Sequence, residues 1–278
     1  MAFIKTKVAY SNKMASSGNS ILLPLLRKIV GSFIGEDNLR LYDTVDWQKT
    51  ASGFGTANIN YPEYYSSKNF HGIKGGYLNA IAPVTYDAVT RFAAPPNENK
   101  LRSQAIASIE NSPQTILDLG CGTGSSTLML KQAFPQAKVT GLDLSPYMLF
   151  MAQHKAKKAN LAIDWQQGLA EATDFADESF DLISLAFLFH ETPVNISQSI
   201  LQECQRLLKP RGQMIILDGN QQRLRHTPWL IKLFREPYSQ VYAAGNIDDW
   251  LRNANFTQIQ TQSIGWISQL TTCFTTIV

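Results

Sequence analysis

The residues able to do chemistry lie around one glycine turn and one histidine–glutamate pair. Gly120, Gly122 and Gly124 alternate in the stretch D-L-G-C-G-T-G, and Asp118 stands just before them. A chain that must turn sharply and bring its backbone against a ligand needs residues without a Cβ. Asp143 comes about twenty residues after the turn, a spacing that suits a carboxylate on a pair of ribose hydroxyls. The dinucleotide fingerprint G-x-G-x-x-G does not fit, because Ser125 or Thr127 occupies its third glycine position. Asp118 argues the same way, since a carboxylate there repels a pyrophosphate and suits an ammonium group. Further on, His190 can take up a proton near neutral pH, and Glu191 could orient that imidazole or accept a proton itself. Packing beside the ligand is the other reading of His190, and a solvated helix start that of Glu191. His71, in a glycine-flanked segment, is the alternative base.

Elements must hold these residues. Residues 115–119 are a short apolar run of the kind a buried parallel strand shows. Residues 125–134 carry a helical pattern, and 139–144 are a second strand with Asp143 at its end. Ser145 and Pro146 suit an N-cap and a first helical position. Strands are expected over 161–165, 180–186 and 213–218, a helix over 196–208, and a turn over 208–212 with solvated Lys209 and Arg211. Residues 219–225 read as polar loop, and 228–244 as a helix interrupted at Pro237. A short helix over 247–253 and an antiparallel hairpin of 256–264 with 271–278 close the chain. His190 and Glu191 follow the fourth strand, at the carboxyl edge where open parallel sheets bind ligands.

Upstream, residues 36–92 are dense in aromatics, and the glycines between Gly53 and Gly76 make 47–77 mostly loop. Long loops in a compact protein are usually functional or disordered, and the aromatics argue for order. Tyr64, Tyr65, Phe70, His71 and Tyr77 are therefore candidates to line a binding pocket, with ordinary packing the alternative for each. Helices are expected over 78–92 and 101–110, parted by the breaker Ala94-Pro95-Pro96-Asn97. Residues 1–35 hold five Lys or Arg and no acid. That acid-poor, serine-containing start has the make-up of an organelle leader, but with few arginines a solvated terminus is the expectation. Residues 21–34 suit a helix docked on the protein, with a membrane-surface helix the alternative that its few basic residues and lack of a clear polar face disfavour.

The 278 residues, 44% hydrophobic, suffice for a sizeable core and one or two domains. A net charge of +3 does not suit a nucleic-acid binder. No apolar run reaches membrane-spanning length, so no integral membrane association is expected. Cys121, Cys204 and Cys273 lack metal or disulfide spacing and fit a reducing compartment, so a cytoplasmic place is expected. No cluster of His, Cys and Asp has ligand spacing, so no metal is expected.

The D-L-G-C-G-T-G turn, followed by Asp143 after the second strand, resembles the first motif of the class I S-adenosylmethionine (SAM) methyltransferases. The resemblance implies an α/β fold, a doubly wound Rossmann-like sheet with a closing antiparallel hairpin and an N-terminal helical and loop lid. It divides the chain into residues 1–110, extension and substrate lid, and 111–278, the SAM-binding domain with an insertion over 219–245 near the substrate pocket. Cofactor contacts are implied for Asp118, Gly120, Gly122, Gly124, Asp143, Leu144, Met148, Ala170, Glu171 and Leu185. Where the family commonly has Gly-Asp-Ala-Glu, this chain has Leu169 for the aspartate, so the adenine contact falls to the Ala170 backbone or to Glu171. Substrate contacts are implied for Tyr64, Tyr65, Phe70, Tyr77, Glu191 and Tyr238, and His190 or His71 as the base. The turn N-P-P-Y of DNA amino-methyltransferases and the Pro-Cys of cytosine-C5 enzymes are missing from this sequence. The expected activity is methyl transfer from SAM, leaving S-adenosylhomocysteine, to a small-molecule N or O acceptor in specialised metabolism. The alternatives are C-methylation of a quinone- or isoprenoid-like acceptor, and a SAM-binding protein without catalysis.

Overall fold

The computed structural model describes residues 34–54, 59–93 and 97–276. The leader and helix expectations for 1–33, and Ala94, Pro95 and Pro96 of the breaker, lie outside them. Seven strands form one sheet: β1 Thr115–Leu119, β2 Lys138–Asp143, β3 Asp164–Gln167, β4 Phe180–Ala186, β5 Leu208–Gly219, β6 Thr257–Ile264 and β7 Ser268–Phe274. Their order is β3-β2-β1-β4-β5-β7-β6. The first five run parallel, and β7 lies antiparallel to both β5 and β6. This is the doubly wound α/β sheet with a closing hairpin that the glycine turn implied.

Side chains alternate across the sheet. Leu117, Leu119, Ile183, Leu185, Met214 and Ile216 enter one core, while Ile116, Leu182, Ile215 and Leu217 enter the other. Both faces are covered, which is why the central strands carry apolar residues toward both sides.

The helices are α1 Glu36–Thr44, α2 Trp47–Phe54, α3 Glu63–Ser66, α4 Ile81–Ala93, α5 Glu98–Ala107, α6 Ser125–Ala133, α7 Pro146–Lys158, α8 Val194–Leu207, α9 Gln221–His226, α10 Pro228–Phe234, α11 Ser239–Ala244 and α12 Ile247–Asn253. Ser145 caps α7, its hydroxyl accepting from the Met148 amide at 3.2 Å. Leu101 and Ala105 of α5 share a core with Ile116 and Val139. On packing, α5 thus belongs with the sheet, although it precedes the expected boundary at residue 110.

Several elements differ from the sequence expectation. The third strand lies at Asp164–Gln167, because Leu161 is used to close α7 through its amide on the Ala156 carbonyl. The expected polar loop over 219–225 contains α9, which Asn220 caps by accepting from the Arg223 amide at 2.9 Å. The helix expected over 228–244 is interrupted at Pro237 as expected, but the break opens earlier, at Arg235 with φ +57°, and leaves two helices. Part of the expected loop over 47–77 is α2, whose Trp47 packs edge-on against Phe150 of α7. Strand β5 already pairs at Leu208, with a register shift, and Lys209 is held by Asp181 at 2.8 Å rather than left to solvent.

Candidate active site

The β1–α6 turn holds its three glycines at positive φ, but for different reasons. A Cβ on Gly124 would fall 2.8 Å from Trp165 and 2.9 Å from Ala152, so close packing excludes it. A Cβ on Gly120 would strike Leu188 at 2.9 Å. On Gly122 it would meet nothing within 4 Å. The backbone at Gly122 is therefore bare toward open space.

Asp143, at the end of β2, accepts from the Gly122 amide at 2.7 Å and from the Ser145 amide at 2.8 Å. Burial raises its carboxyl to about 6, against the pull of those two amides. Asp118, 1% exposed, accepts from the Thr127 hydroxyl at 2.5 Å, and burial raises its carboxyl too. Behind the turn, Arg102 is buried, pairs with Glu98 at 2.8 Å and lies 5.3 Å from the centre of the Phe187 ring. Its Nε has no hydrogen-bond partner among the described residues. Arg102, Asp118, Gly120, Gly122 and Ser126 line one small cleft.

A cavity of about 700 Å³, counting its open mouth, lies beyond the carboxyl ends of β1, β2 and β4. Gly120, Gly122, Asp143, Leu144, Met148, Ala170 and Glu171 form its floor and sides. Tyr64, Tyr65, Phe70 and Tyr77 cover it from the N-terminal segment. This cover is tied down by side chains. The Tyr64 hydroxyl donates to Glu171 at 2.7 Å, the Tyr77 hydroxyl to Glu191, and the Ser145 hydroxyl to the Tyr77 carbonyl at 2.7 Å.

A second cavity of about 670 Å³ shares Tyr86, Phe187 and Glu191 with the first. Leu224, Ile231 and Ile267 supply apolar wall, and His71, Glu98, His190, Glu191 and Glu236 bring charge or proton-binding groups to it. His190 Nδ1 is 2.6 Å from Asp218 Oδ1, and its Nε2 is 3.9 Å from Glu191. Burial draws this imidazole down, but Asp218 and then Glu191 and Glu236 outweigh it and raise it to about 9. His71 sits at φ +48° between two carboxylates. Its Nδ1 pairs with Glu236, and its Nε2 faces Glu191 at 3.2 Å, within ion-pair range but off line for a hydrogen bond. Burial again opposes the charge, and Glu236 and Glu191 more than reverse that, raising His71 to about 10. Each His71 nitrogen thus has a carboxylate at 3.2 Å or closer, whereas His190 Nε2 has only the long 3.9 Å approach to Glu191 and is the freer nitrogen.

The structure brings most of the sequence candidates to these two cavities, with four exceptions, the first being Asp118, which lines the small cleft behind the turn instead. Leu185 is 1% exposed and faces the core, and Ala186, Phe187 and Leu188 line the cavity in its place. Gly124 lines neither cavity and serves packing. Tyr238 lines neither, and its hydroxyl braces the cover by donating to the Tyr64 carbonyl at 2.9 Å. Sequence reasoning missed Arg102, Asp218 and Glu236. Asp218 at the end of the fifth strand carried a signal, the carboxyl-edge rule. Arg102 and Glu236 carried none, being set by how α5 and the 235–238 bend fold back. Among the described residues, His71, Glu191 and Glu236 place one possible ligand atom each within 4.8 Å of one another. The imidazole lies between the carboxylates, however, with one nitrogen toward each, which is the geometry of a clamped imidazolium.

The methyltransferase domain family model matches residues 116–212. A demethylmenaquinone methyltransferase of Thermus thermophilus is 35% identical over 142 residues, 51% of this chain and 63% of that relative. One from Lactobacillus johnsonii is 32% identical over 180 residues, 61% of this chain and 71% of that relative. The chain belongs to the class I SAM-dependent methyltransferase family. It spans less than two thirds of the Thermus relative's length. A SAM-dependent methyltransferase of Aquifex aeolicus shares the fold, with a TM-score of 0.55 at 20% identity over 70% of this chain and 98% of that one. In this class I methyltransferase, the matched region includes the glycine turn, Asp143 and His190. It leaves out Arg102, His71, Asp218 and Glu236. Among the described residues no helix is long and apolar enough to cross a membrane.

Proposed function

We propose that the protein methylates a ring carbon of a hydroxyl-bearing aromatic acceptor of the quinol type, with SAM as donor. The observation that carries this reading is the second cavity, apolar-walled, joined to the first through Phe187 and Glu191, and holding His190 with its freer Nε2. The names of the Thermus and Lactobacillus relatives favour a quinone-like acceptor over the N or O acceptor first expected.

The first cavity fits the donor. Gly122 leaves its backbone open where a Cβ would meet no described atom, and Asp143 is half-buried at the cavity wall and aimed by two amides. Ala170 and Glu171 line the side that would take the adenine. The small cleft would take the amino-acid end, with Asp118 suited to an ammonium and the unpartnered Nε of Arg102 to a carboxylate. When bound, SAM supplies a methyl on a sulfonium, already an activated electrophile.

The chain's own residues supply alignment and one proton transfer. Asp218 orients His190, and His190 Nε2 takes the proton of the acceptor hydroxyl. The charge left on the acceptor makes the neighbouring ring carbon nucleophilic. That carbon bonds the methyl as the carbon–sulfur bond breaks, and it then releases its hydrogen as a proton to water. His71 is a positioning residue, and its clamped charge holds Glu191 and Glu236 in place.

The test is methyl-labelled SAM with a prenylated dihydroxynaphthalene, with the product read by NMR. A label on ring carbon that disappears in His190→Ala, while SAM binding persists, supports the reading. A label on oxygen returns the acceptor to the O-methyl reading, and no transfer with any hydroxylated ring overturns it.

A further inference from the structure

We propose that α10, α11 and the β6–β7 turn form a docking surface for an anionic lipid bilayer. Four large apolar side chains stand in solvent there: Trp229 at 56% exposure, Leu233 at 64%, Val241 at 47% and Trp266 at 50%. The rings of Trp229 and Trp266, from separate elements, lie 6.5 Å apart, and Leu233 stands one helical turn from Trp229. Scattered single apolar residues are ordinary on a surface, but two tryptophans in contact and rimmed by charge mark an interaction site.

The rim identifies the partner. Residues 221–235 contain Arg223, Arg225, Lys232 and Arg235, all exposed, and no acid. None of the four is held in an ion pair with a described carboxylate. The Arg223 guanidinium donates to the Trp266 carbonyl, which keeps that cation beside the aromatic patch, and that of Arg225 donates to the Gly245 carbonyl at 3.1 Å. Tryptophan and aliphatic side chains at the centre with basic residues around them suit the boundary between acyl chains and anionic headgroups. A two-fold pairing of two copies would instead set these cations against their own counterparts. The same elements wall the second cavity through Ile231, Ser239 and Ile267. A bilayer docked here would lie beside the cavity that receives the acceptor, so an apolar acceptor could pass between them without crossing water.

The test is flotation of the full chain with vesicles of phosphatidylcholine, alone or mixed with phosphatidylglycerol. The wild type should float with the mixed vesicles only, and less as salt rises. The pair Trp229→Ser and Trp266→Ser should lower that fraction roughly tenfold. Leu233→Glu provides a second variant if the double one folds poorly. SAM affinity should be unchanged in either, which separates this surface from the proposed catalysis. A wild type that floats with neither vesicle overturns the proposal, as does flotation that survives both variants. A dimer in light scattering that the tryptophan variant splits would give the face to a second copy instead.

Discussion

With its two oxygens on the Gly122 and Ser145 amides, Asp143 is aimed by the turn it serves. Asp143→Ala is expected to weaken SAM binding by roughly 1.5–3 kcal/mol, the range for hydrogen bonds to a charged group. Calorimetry reads this directly. Because burial raises this carboxyl to about 6, its ionised form prevails above that pH. SAM affinity should therefore hold at alkaline pH and fall as pH drops through about 6, and Asp143→Asn should flatten that dependence. At His190 the sign is opposite in consequence. The imidazole, raised to about 9, is mostly protonated at neutral pH and works as a base only when neutral. Turnover should climb with pH and level off near 9, and Asp218→Asn, which removes the main raising partner, should move the rise to lower pH. His190→Ala should lower turnover ~10²–10⁴-fold with SAM affinity retained. A flat pH profile would show that the acceptor reaches the site already deprotonated.

Elements place these residues, and the glycine turn shows how. Gly122→Val should lose SAM binding because its side chain enters space that the protein leaves open, at a stability cost set by a β-branched residue at φ +54° and not by a clash. Gly124→Ala should instead lower the melting temperature, because its Cβ meets Trp165 and Ala152 at under 3 Å. A cost of about 1–3 kcal/mol is typical of such overpacking. Equal losses of SAM binding and stability in both variants would mean that the two glycines do one job. The turn, the strands on either side and α7 were legible in the sequence because local patterning fixes them: an apolar run, glycines at positive φ, and Ser145-Pro146 at a helix start. The start of the insertion was misread because α9 rests on the Asn220 cap, and the break expected at Pro237 opens two residues early because Arg235 is left-handed, neither of which periodicity reveals. His190 could be picked from its place after β4. Its partner Asp218 and the clamp on His71 needed β5 and the 235–238 bend to be set side by side.

At the scale of the whole molecule, the N-terminal segment is a cover pinned to the sheet domain at Glu171, Ser145, Glu191 and Glu236. A ligand held beneath such a cover should slow its opening. Amides of residues 59–80 should exchange with solvent more slowly when SAM or S-adenosylhomocysteine is bound, and unchanged exchange there would mean that the cover does not close the site. The central claim is that the first cavity takes SAM and not a dinucleotide. Calorimetric titration of the full chain with SAM, beside an identical titration with NAD, tests it most directly. Saturable binding of SAM at one site, with no heat from NAD, is the predicted result. Binding of NAD, or no binding of SAM by folded protein, would contradict it.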